Sequence, residues 1–202
     1  MLLFAGLGNP GDQYRNNRHN VGFMAIDAIA ARHGFGPFRQ KFQGLIAEGT
    51  IDGEKVLLVK PQTYMNSSGD SIQAALAFYK LGVADVTVLY DEIDLAPGKV
   101  RIKRGGGNGG HNGLRSIDPQ IGTDYRRIRI GVGHPGHKDR VMPHVLGDFS
   151  KVDHQWLDPM LDALADALPF AAAGDDERFQ GEGLRLAPAP QSDPKKRPGD
   201  PL

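Results

Sequence analysis

The chain contains no cysteine, a single tryptophan and few other aromatic residues. The absence of cysteine excludes disulfides, thiolate catalysis and Cys-ligated zinc, and it agrees with a reducing compartment. No apolar stretch approaches the roughly 20 residues that a membrane-spanning helix needs. The first residues, MLLFAGLGNPG, lack the positive segment and the longer apolar run of a signal peptide. We therefore expect a cytoplasmic protein that does not associate with a membrane.

The formal net charge is zero, yet basic and acidic residues are concentrated in different segments. Residues 99 to 140 contain ten lysines and arginines against three aspartates, whereas residues 148 to 177 contain one lysine against eight acidic residues. A concentration of cations on a neutral protein predicts a face that binds a polyanion. A strand and a loop that only present their charges to water would give the same pattern, so this alternative stays open.

Strand-like and helix-like patterns alternate along the chain. Short apolar or alternating runs predict strands at 2–5, 42–51, 55–60, 86–90, 99–103 and 126–132. Helical spacing predicts helices at 20–33, 68–81, 114–121 and 152–168. Asp52-Gly53 predicts a hairpin between the second and third strands. The pattern predicts one α/β domain with a mixed sheet over residues 1–180, and prolines beyond it predict a disordered tail over 181–202.

Two segments are rich in glycine. Gly6-x-Gly8-x-x-Gly11 matches a dinucleotide fingerprint by letter, but the residues after it lack helical periodicity, so a nicotinamide-dependent enzyme is a minor alternative. Residues 105–110 contain five glycines, which indicates a loop whose backbone approaches a ligand, or a mobile loop. The second segment lacks the Gly-Lys-Ser/Thr ending of a nucleotide P-loop. His134 and His137 have no third ligand nearby, so we expect no metal site.

Five polar residues follow apolar strands or glycine-rich turns: Asn9, His19, Asn66, Asp91 and Asn112. If the strands are neighbours in one sheet, these side chains meet in one crevice. A histidine can act as a base near neutral pH, a carboxylate can fix its tautomer, and amides can hold water or a developing oxyanion. Such a set suffices for ester hydrolysis by water. Each residue also has an ordinary interpretation as a helix cap, a turn former or a packed side chain.

Four segments together resemble bacterial peptidyl-tRNA hydrolase: GLGNPGDQYRNNRHNVGF, KPQTYMNSSG, YDEIDLAPGKVRIKRGGGNGGHNGLRSI and RRIRIGVGHPG. They occur in the order typical of that family and span roughly the first 150 residues. The resemblance implies a monomeric three-layer α/β/α fold, here with a mixed, mostly parallel twisted sheet. It also implies hydrolysis of the ester between a peptide, or an N-blocked aminoacyl group, and the terminal ribose of tRNA. This reaction recycles peptidyl-tRNA dropped from ribosomes and uses neither cofactor nor metal.

The resemblance also assigns roles by position. His19 matches the catalytic base, Asp91 the acid that supports it, and Asn9 a residue that distinguishes blocked from free aminoacyl groups. Positions that match substrate contacts are Tyr14, Tyr64, Met65, Asn66 and Asn112, and positions that match contacts to tRNA phosphates are Lys103 and Arg129. Tyr90 and Glu92 depart from the family pattern, which more often has His and Asp there.

The sequence leaves two further alternatives open. The chain could be a tRNA-binding protein without catalysis, since the basic segment accounts for tRNA affinity alone. The acidic helix at 152–168 could gate the crevice, although ordinary packing against the sheet is the simpler expectation.

Overall fold

Seven strands form a single sheet in the computed structural model, which describes residues 1–181 and residue 184. Their order across the sheet is β2-β3-β4-β1-β5-β7-β6. The strands are β1 Leu2–Gly6, β2 Arg39–Lys41, β3 Gly44–Ile51, β4 Glu54–Pro61, β5 Val86–Glu92, β6 Val100–Arg104 and β7 Arg126–Gly131. The central strands β4, β1, β5 and β7 run parallel to one another. The outer strands β2, β3 and β6 pair in antiparallel fashion, so the sheet is mixed as predicted.

Helices cover both faces of the sheet. They are α1 Val21–Arg32, α2 Ser68–Tyr79, α3 Asn112–Ile121, α4 Val141–Val145, α5 His154–Ala172 and α6 Asp176–Gly181. Short 3-10 turns precede α1 at Arg18–Asn20 and α2 at Met65–Ser67. None of the helices in the described part of the chain is long and apolar enough to cross a bilayer.

Two hydrophobic cores lie on opposite faces of the sheet, because successive strand residues point to opposite sides. On one face Phe4 and Leu58 pack with Ile26 of α1 and Leu164 of α5. On the other face Leu3, Leu57 and Val59 pack with residues of α2 and α3, which include Ile72 and Leu114. The three-layer α/β/α architecture implied by the resemblance is confirmed.

Several element boundaries differ from the prediction. Strand β5 continues through Asp91 to Glu92, and α3 begins at Asn112 rather than at residue 114. Helix α2 ends at Tyr79, two residues before the predicted end at residue 81, because Lys80, whose φ of 54° is left-handed, terminates it. The sequence pattern missed β2, α4 and α6, which have three, five and six residues and are too short to show a period.

Glycines at the end of β1 permit α1 to cross close to the strand. A Cβ on Gly6 would lie 2.1 Å from the carbonyl oxygen of Gly22, and one on Gly22 would lie 2.4 Å from the carbonyl oxygen of Leu89. A Cβ on Gly8 would lie 2.7 Å from the ring of Phe23. The first glycine-rich segment therefore serves helix–strand packing. Only a 3-10 turn, Asp12–Tyr14, follows the glycines directly, and the α-helix whose start a pyrophosphate requires there begins at residue 21.

Helix α5 covers the same face of the sheet as α1. Leu157, Met160, Leu164 and Leu168 of α5 are buried in the core of that face, so the acidic helix predicted at 152–168 has the packing role of an ordinary layer helix. The predicted tail over 181–202 lies outside the described residues, except for Gly181, which ends α6, and Leu184, which packs against the α1–α5 core.

Candidate active site

Polar side chains gather where β1 and β5 end. These two strands are adjacent and parallel, so the loop after β1 and the last residues of β5 reach the same edge of the sheet. Asn9 lies in that loop, His19 lies in the 3-10 turn before α1, and Asp91 lies in β5; all three are buried. The site is thus at the carboxyl edge of the parallel strands, where α/β proteins commonly bind ligands.

Asp91 binds two histidines, one through each carboxylate oxygen. His19 Nδ1 lies 2.8 Å from Asp91 Oδ2, and His111 Nε2 lies 2.7 Å from Asp91 Oδ1. The two imidazole rings are 4.9 Å apart between centroids. The carboxylate therefore holds both rings in fixed orientations in a site that is largely shielded from water.

The hydrogen bonds define the tautomer of His111. This residue caps the start of α3, where its Nδ1 accepts bonds from the backbone N–H groups of Gly113 and Leu114 at 3.1 and 3.4 Å. The proton of the neutral ring must then be on Nε2, which donates to Asp91. Both nitrogens of His111 are thereby occupied, whereas His19 Nε2 has no partner among the described residues. Of the two rings, only His19 is available as a base.

The hydrogen-bonded His19–Asp91 pair shifts the pKa of its two residues in opposite directions. Burial tends to lower the pKa of His19, but the charge of Asp91 and its hydrogen bond outweigh this and raise the pKa above 6.5. Burial tends to raise the pKa of Asp91, but His19 and His111 outweigh it and hold that pKa below 3.8. Asp91 is therefore an anion at neutral pH, ready to stabilise a protonated His19.

Asn9 is held at three points. Its backbone N–H donates to Asn20 Oδ1 and its carbonyl accepts from Asn20 Nδ2, both at 2.9 Å, while its side-chain Oδ1 accepts from the N–H of Met65 at 2.7 Å. This last bond fixes the amide orientation, since Oδ1 must be the acceptor. None of the hydrogen bonds of Asn9 within the described residues involves its Nδ2, which is therefore available to donate to a ligand.

A cavity of about 60 Å³ lies beside the histidine–aspartate pair. Its walls include His19, Asp91, His111, Asn112 and Met142 of α4. The volume exceeds the roughly 10–15 Å³ that one water molecule needs. Helix α4, which the sequence pattern missed, lines this cavity together with the start of α3, whereas no residue of the acidic helix α5 is among its walls.

The remaining residues assigned by resemblance lie around this centre. Met65 is buried beneath Asn9, whereas Asn66 and Tyr64 are exposed on the same turn; Tyr64 retains 62% of its accessible surface. Tyr14 is half-buried in the 3-10 turn at Asp12–Tyr14. The structure thus brings His19, Asp91 and Asn112 to one cavity, ties Asn9 to Asn20, the residue after His19, and places Tyr64 and Asn66 toward solvent.

Lys103 and Arg129 lie on the neighbouring strands β6 and β7, on one side of strands β1 and β5, where the candidate site lies. Partial burial, followed by the charges of Arg129 and Arg127, lowers the pKa of Lys103. Arg129 binds Glu92, with Nη2 and Nε at 2.7 and 2.9 Å from Glu92 Oε1. Glu92, one of the two departures from the family pattern, thus forms an ion pair with Arg129, a residue expected to contact tRNA phosphates.

The basic segment presents fewer free charges than its sequence suggests. Arg127 is fully buried, and its guanidinium donates to the carbonyls of Gly106 and Gly107 at 2.6 Å. Arg126 is buried and paired with Asp176 at 2.9 Å. Arg126, Arg127 and the paired Arg129 are therefore three of the ten cations in residues 99–140 whose charge is already bonded within the protein. What remains is a smaller group of exposed or half-buried cations: Lys99, Arg101, Lys103, Arg104, Arg115, Lys138 and Arg140.

Sequence reasoning missed His111 and Asn20 as parts of the site, and it missed the burial of Arg127. His111 follows the second glycine-rich loop and caps a helix, a place where a side chain commonly bonds the backbone. The sequence pattern predicts a helix start only at residue 114, so it does not reveal this cap. Arg127 has the sequence pattern of a surface cation, because alternation of basic and apolar residues normally indicates a half-exposed strand.

His19, Asp91 and His111 also have the composition of a metal site, with one ligand atom of each within 4.8 Å of the others. In the structure these atoms bond one another. Both oxygens of Asp91 accept hydrogen bonds, and the other nitrogen of His111 is committed to the helix cap. The arrangement is that of a hydrogen-bonded pair of imidazoles on one carboxylate.

The fold and the site define a class of protein: an α/β protein with a buried histidine–aspartate pair beside a cavity at the carboxyl edge of its parallel strands, a set of groups suited to hydrolysis by water. Comparison with known proteins narrows this class. Residues 3–183 match the family model described as peptidyl-tRNA hydrolase. The chain belongs to that family.

Individual relatives agree along nearly the whole chain. Peptidyl-tRNA hydrolase from Caulobacter vibrioides is 62% identical over 200 residues, which cover 97% of this chain and 98% of the relative. The protein of that name from Mesorhizobium japonicum is 60% identical over 207 residues, covering 98% and 86%. The crystal structure of peptidyl-tRNA hydrolase from Acinetobacter baumannii superposes with a TM-score of 0.88 at 38% identity, covering 94% of this chain and 97% of that one.

Proposed function

We propose that the chain hydrolyses the ester that links a peptide, or an N-blocked aminoacyl group, to the terminal ribose of tRNA, with His19 as the general base. The observation that carries the proposal is the orientation of His19. Its Nδ1 is bonded to the buried Asp91, while its Nε2 has no partner within the described chain and belongs to a residue that lines a cavity with room for water.

The reaction follows from this arrangement. His19 Nε2 takes a proton from water as the water oxygen attacks the ester carbonyl carbon, and Asp91 stabilises the imidazolium that results. The free Nδ2 of Asn9, with Asn112 on the cavity wall, supplies amide donors for the carbonyl oxygen as it becomes an oxyanion. His19 then returns its proton to the departing ribose oxygen. The products are a peptide acid and free tRNA.

Substrate contacts are assigned by position around this centre. Met65 forms an apolar wall next to Asn9, and Asn66, Tyr64 and Tyr14 lie at the rim, where they would contact the acyl group or the terminal nucleotide. Lys103 and Arg129 would hold tRNA phosphates. Contacts to the phosphates rather than to base edges suit an enzyme that accepts many tRNAs.

Selectivity for blocked substrates would come from Asn9. Its free amide hydrogen meets a neutral acyl group, whereas the protonated amino group of an ordinary aminoacyl-tRNA is itself a donor and finds no acceptor in Asn9 Nδ2. We place the enzyme in the cytoplasm, as a monomer that needs no metal or cofactor.

The decisive experiment gives the purified protein N-acetyl-aminoacyl-tRNA in the presence of excess chelator. We expect release of the acetylated amino acid, and no release from the unblocked aminoacyl-tRNA. Binding without release would make the chain a tRNA-binding protein without catalysis. Loss of turnover on adding the chelator would overturn the metal-independent mechanism.

A further inference from the structure

The glycine-rich loop, residues 105–110, leads from β6 toward α3 and forms one wall of the active-site cavity. Its second half, residues 108–110, lines the cavity, and His111 and Asn112 of the site follow directly. Five of its six residues are glycines, so the loop has few side-chain contacts that could define its own path. The position of this wall therefore depends on groups outside the loop.

Arg127 of β7 holds the first half of the glycine-rich loop. Its Nη1 donates to the carbonyl oxygen of Gly107 and its Nη2 to that of Gly106, both at 2.6 Å, and Nη2 lies 3.4 Å from the carbonyl oxygen of Thr123. The planar guanidinium presents its N–H groups as a rigid fork, which the ammonium group of a lysine lacks. Two adjacent carbonyls of the loop are thus bound to one rigid group.

The surroundings of Arg127 are unusual for a buried cation. The side chain is fully buried, its Nε has no hydrogen-bond partner within the described residues, and the Asp118 carboxylate lies 3.9 Å from Nη2. That carboxylate already accepts a hydrogen bond from the Tyr125 hydroxyl at 2.7 Å. Burying a guanidinium costs solvation free energy, and a well-packed apolar side chain of similar volume would avoid this cost. Packing alone therefore does not explain a cation at this position, whereas the two loop carbonyls do.

Hydrogen bonds carry the position of the loop to the carboxylate of Asp91. The carbonyl oxygen of Asn108 accepts from the N–H of His111 at 2.9 Å, and Asn108 Oδ1 accepts from the N–H of Gly110 at 3.0 Å. The turn over residues 108–111 is thereby closed on itself directly after the two residues that Arg127 binds. His111 in turn bonds Asp91 at 2.7 Å. A shift of the two bound carbonyls would therefore displace His111 and the cavity wall.

Burial separates Arg127 from the residues expected to contact tRNA phosphates. Arg127 lies directly opposite Lys103 on β6 and two positions before Arg129 on β7, so the three side chains leave the same face of the sheet. Lys103 and Arg129 are half-exposed, whereas Arg127 is fully buried. A phosphate can reach the first two residues but not Arg127, so any effect of Arg127 on the substrate passes through the loop.

We propose that Arg127 is a positioning residue for the hydrolysis: its guanidinium holds the glycine-rich loop so that His111 and Asn112 keep their places in the site. This inference rests on the proposed function, since it takes the reaction to occur beside His19. It assigns an effect on kcat to a residue of the basic segment, whereas the cations of that segment that are expected to contact phosphates act on KM.

The test replaces Arg127 by methionine, which is unbranched and apolar and fills most of the same space without a donor. We expect kcat for N-acetyl-aminoacyl-tRNA to fall by about ten- to a hundredfold, because a misplacement of about 1 Å can cost about a hundredfold. KM and its dependence on salt should stay as in the unaltered enzyme. An unchanged kcat, or a loss that appears only as a raised KM with a flatter salt dependence, would overturn the inference.

Arg126→Met is the matched control. Arg126 is the neighbouring buried arginine of the same strand, but it points to the other face of the sheet and bonds Thr87 and Asp176 at 3.0 and 2.9 Å. This variant should have a lower free energy of unfolding and the original kcat. A loss of kcat as large in Arg126→Met as in Arg127→Met would show that the loss comes from general destabilisation, and it would refute a positioning role.

Arg127→Lys is a graded variant that also guards against misfolding. It keeps the buried charge but reaches at most one of the two carbonyls, so its kcat should lie between those of Arg127→Met and the unaltered enzyme. If Arg127→Met does not fold, Arg127→Lys carries the test alone, with a lowered kcat and an unchanged KM as the expected result. Full kcat in Arg127→Lys would show that the fork is not needed.

Failure of the proposed function would look different, because the unaltered enzyme would then release nothing from N-acetyl-aminoacyl-tRNA. The position of the loop is measured in that case by nuclear magnetic resonance. The Nε2 proton of His111, which is bonded to Asp91, should exchange faster with water in Arg127→Met and Arg127→Lys, and at the original rate in Arg126→Met. Equal exchange rates in the unaltered protein and in all these variants would refute Arg127 as the residue that holds the loop.

Discussion

The catalytic centre and the basic face contrast in how their charged groups are satisfied. At the centre, Asp91 is buried and both of its oxygens bond imidazole nitrogens. On the face formed by β6 and β7, Lys103 is half-buried and positioned among other cations, and Arg129 is half-exposed against Glu92. A buried, fully bonded set is preorganised for chemistry, whereas partly solvated charges adjust to a flexible polyanion and are screened by salt. Changes at the centre should therefore act on kcat, and changes on the face on KM.

The substitution with the largest expected effect, His19→Ala, tests whether changes at the centre act on kcat alone. Because it removes the only ring in the pair with a free nitrogen, kcat should fall by about 10²–10⁴-fold, the typical contribution of a general base. KM should change little, since the basic face is intact. Single-turnover release of N-acetyl-aminoacyl groups measures the effect.

A matched control for His19→Ala is His33→Ala. His33 also makes a hydrogen bond, from Nε2 to the carbonyl of Ala165 at 2.8 Å, but it lies at the end of α1 far along the helix from His19. The His33→Ala variant should have a lower free energy of unfolding and keep its hydrolytic activity. Full turnover by the His19→Ala variant would remove His19 from the mechanism.

The pH profile sharpens the same comparison. His19 acts as a base only when neutral, and its pKa is raised above 6.5, so kcat/KM should fall as the pH drops through a value above 6.5. Asp91→Asn removes the charge that raises this pKa. The acid limb should then move to lower pH, while the plateau falls by about 10²-fold or more through loss of imidazolium stabilisation. Asp94→Asn, at an exposed position nearby, serves as the control and should leave the limb in place.

An acid limb that stays in place in the Asp91→Asn variant would show that the limb reports a different group. The two outcomes are separated by fitting kcat/KM from about pH 5 to pH 9, the range in which an imidazole titrates.

The two regions also differ in how far their sequence predicts them. At the centre, residues such as Asn9, His19 and Asp91 are predictable, because each follows a strand or a glycine-rich turn and the strands prove adjacent. His111 and Asn20 are not, because the helix that His111 caps is predicted to start only at residue 114 and Asn20 has the pattern of an ordinary helix start; their bonds to Asp91 and Asn9 are visible only in the structure. The central strands and the layer helices follow from apolar periodicity, whereas α4, with five residues, shows no period, although it lines the active-site cavity.

On the basic face, counting charges misleads. Arg127 has the sequence pattern of a surface cation, yet it is fully buried and bonds the backbone of the glycine-rich loop. Whether a cation faces solvent or a loop carbonyl depends on the path of that loop, and glycine-rich backbone carries little local signal for its path. The loop carbonyls that accept from Arg127 can therefore be identified only from the structure.

On the basic face itself, Lys103→Ala should raise KM with little change in kcat. Loss of one charge-assisted phosphate contact corresponds to about 1.4 kcal/mol, or about tenfold in KM. The slope of log KM against log salt concentration should decrease by about one. Lys55→Ala, an exposed lysine on β4 beyond the opposite side of the catalytic strands, is the control and should keep the original slope. An unchanged slope for Lys103→Ala would place the tRNA elsewhere.

The smallest expected effect is that of Glu92→Gln. Glu92 holds Arg129 through bonds at 2.7 and 2.9 Å, and a partly exposed ion pair of this kind is worth less than about 1 kcal/mol. Removing the carboxylate charge frees Arg129 for phosphate, so KM should fall by about two- to threefold at low salt, and the gain should vanish as salt screens the charges. Asp124→Asn, at an exposed position of the loop before β7, tests whether loss of any nearby negative charge has the same result. A rise in KM for Glu92→Gln would mean that the ion pair positions Arg129 for the substrate rather than competing with it.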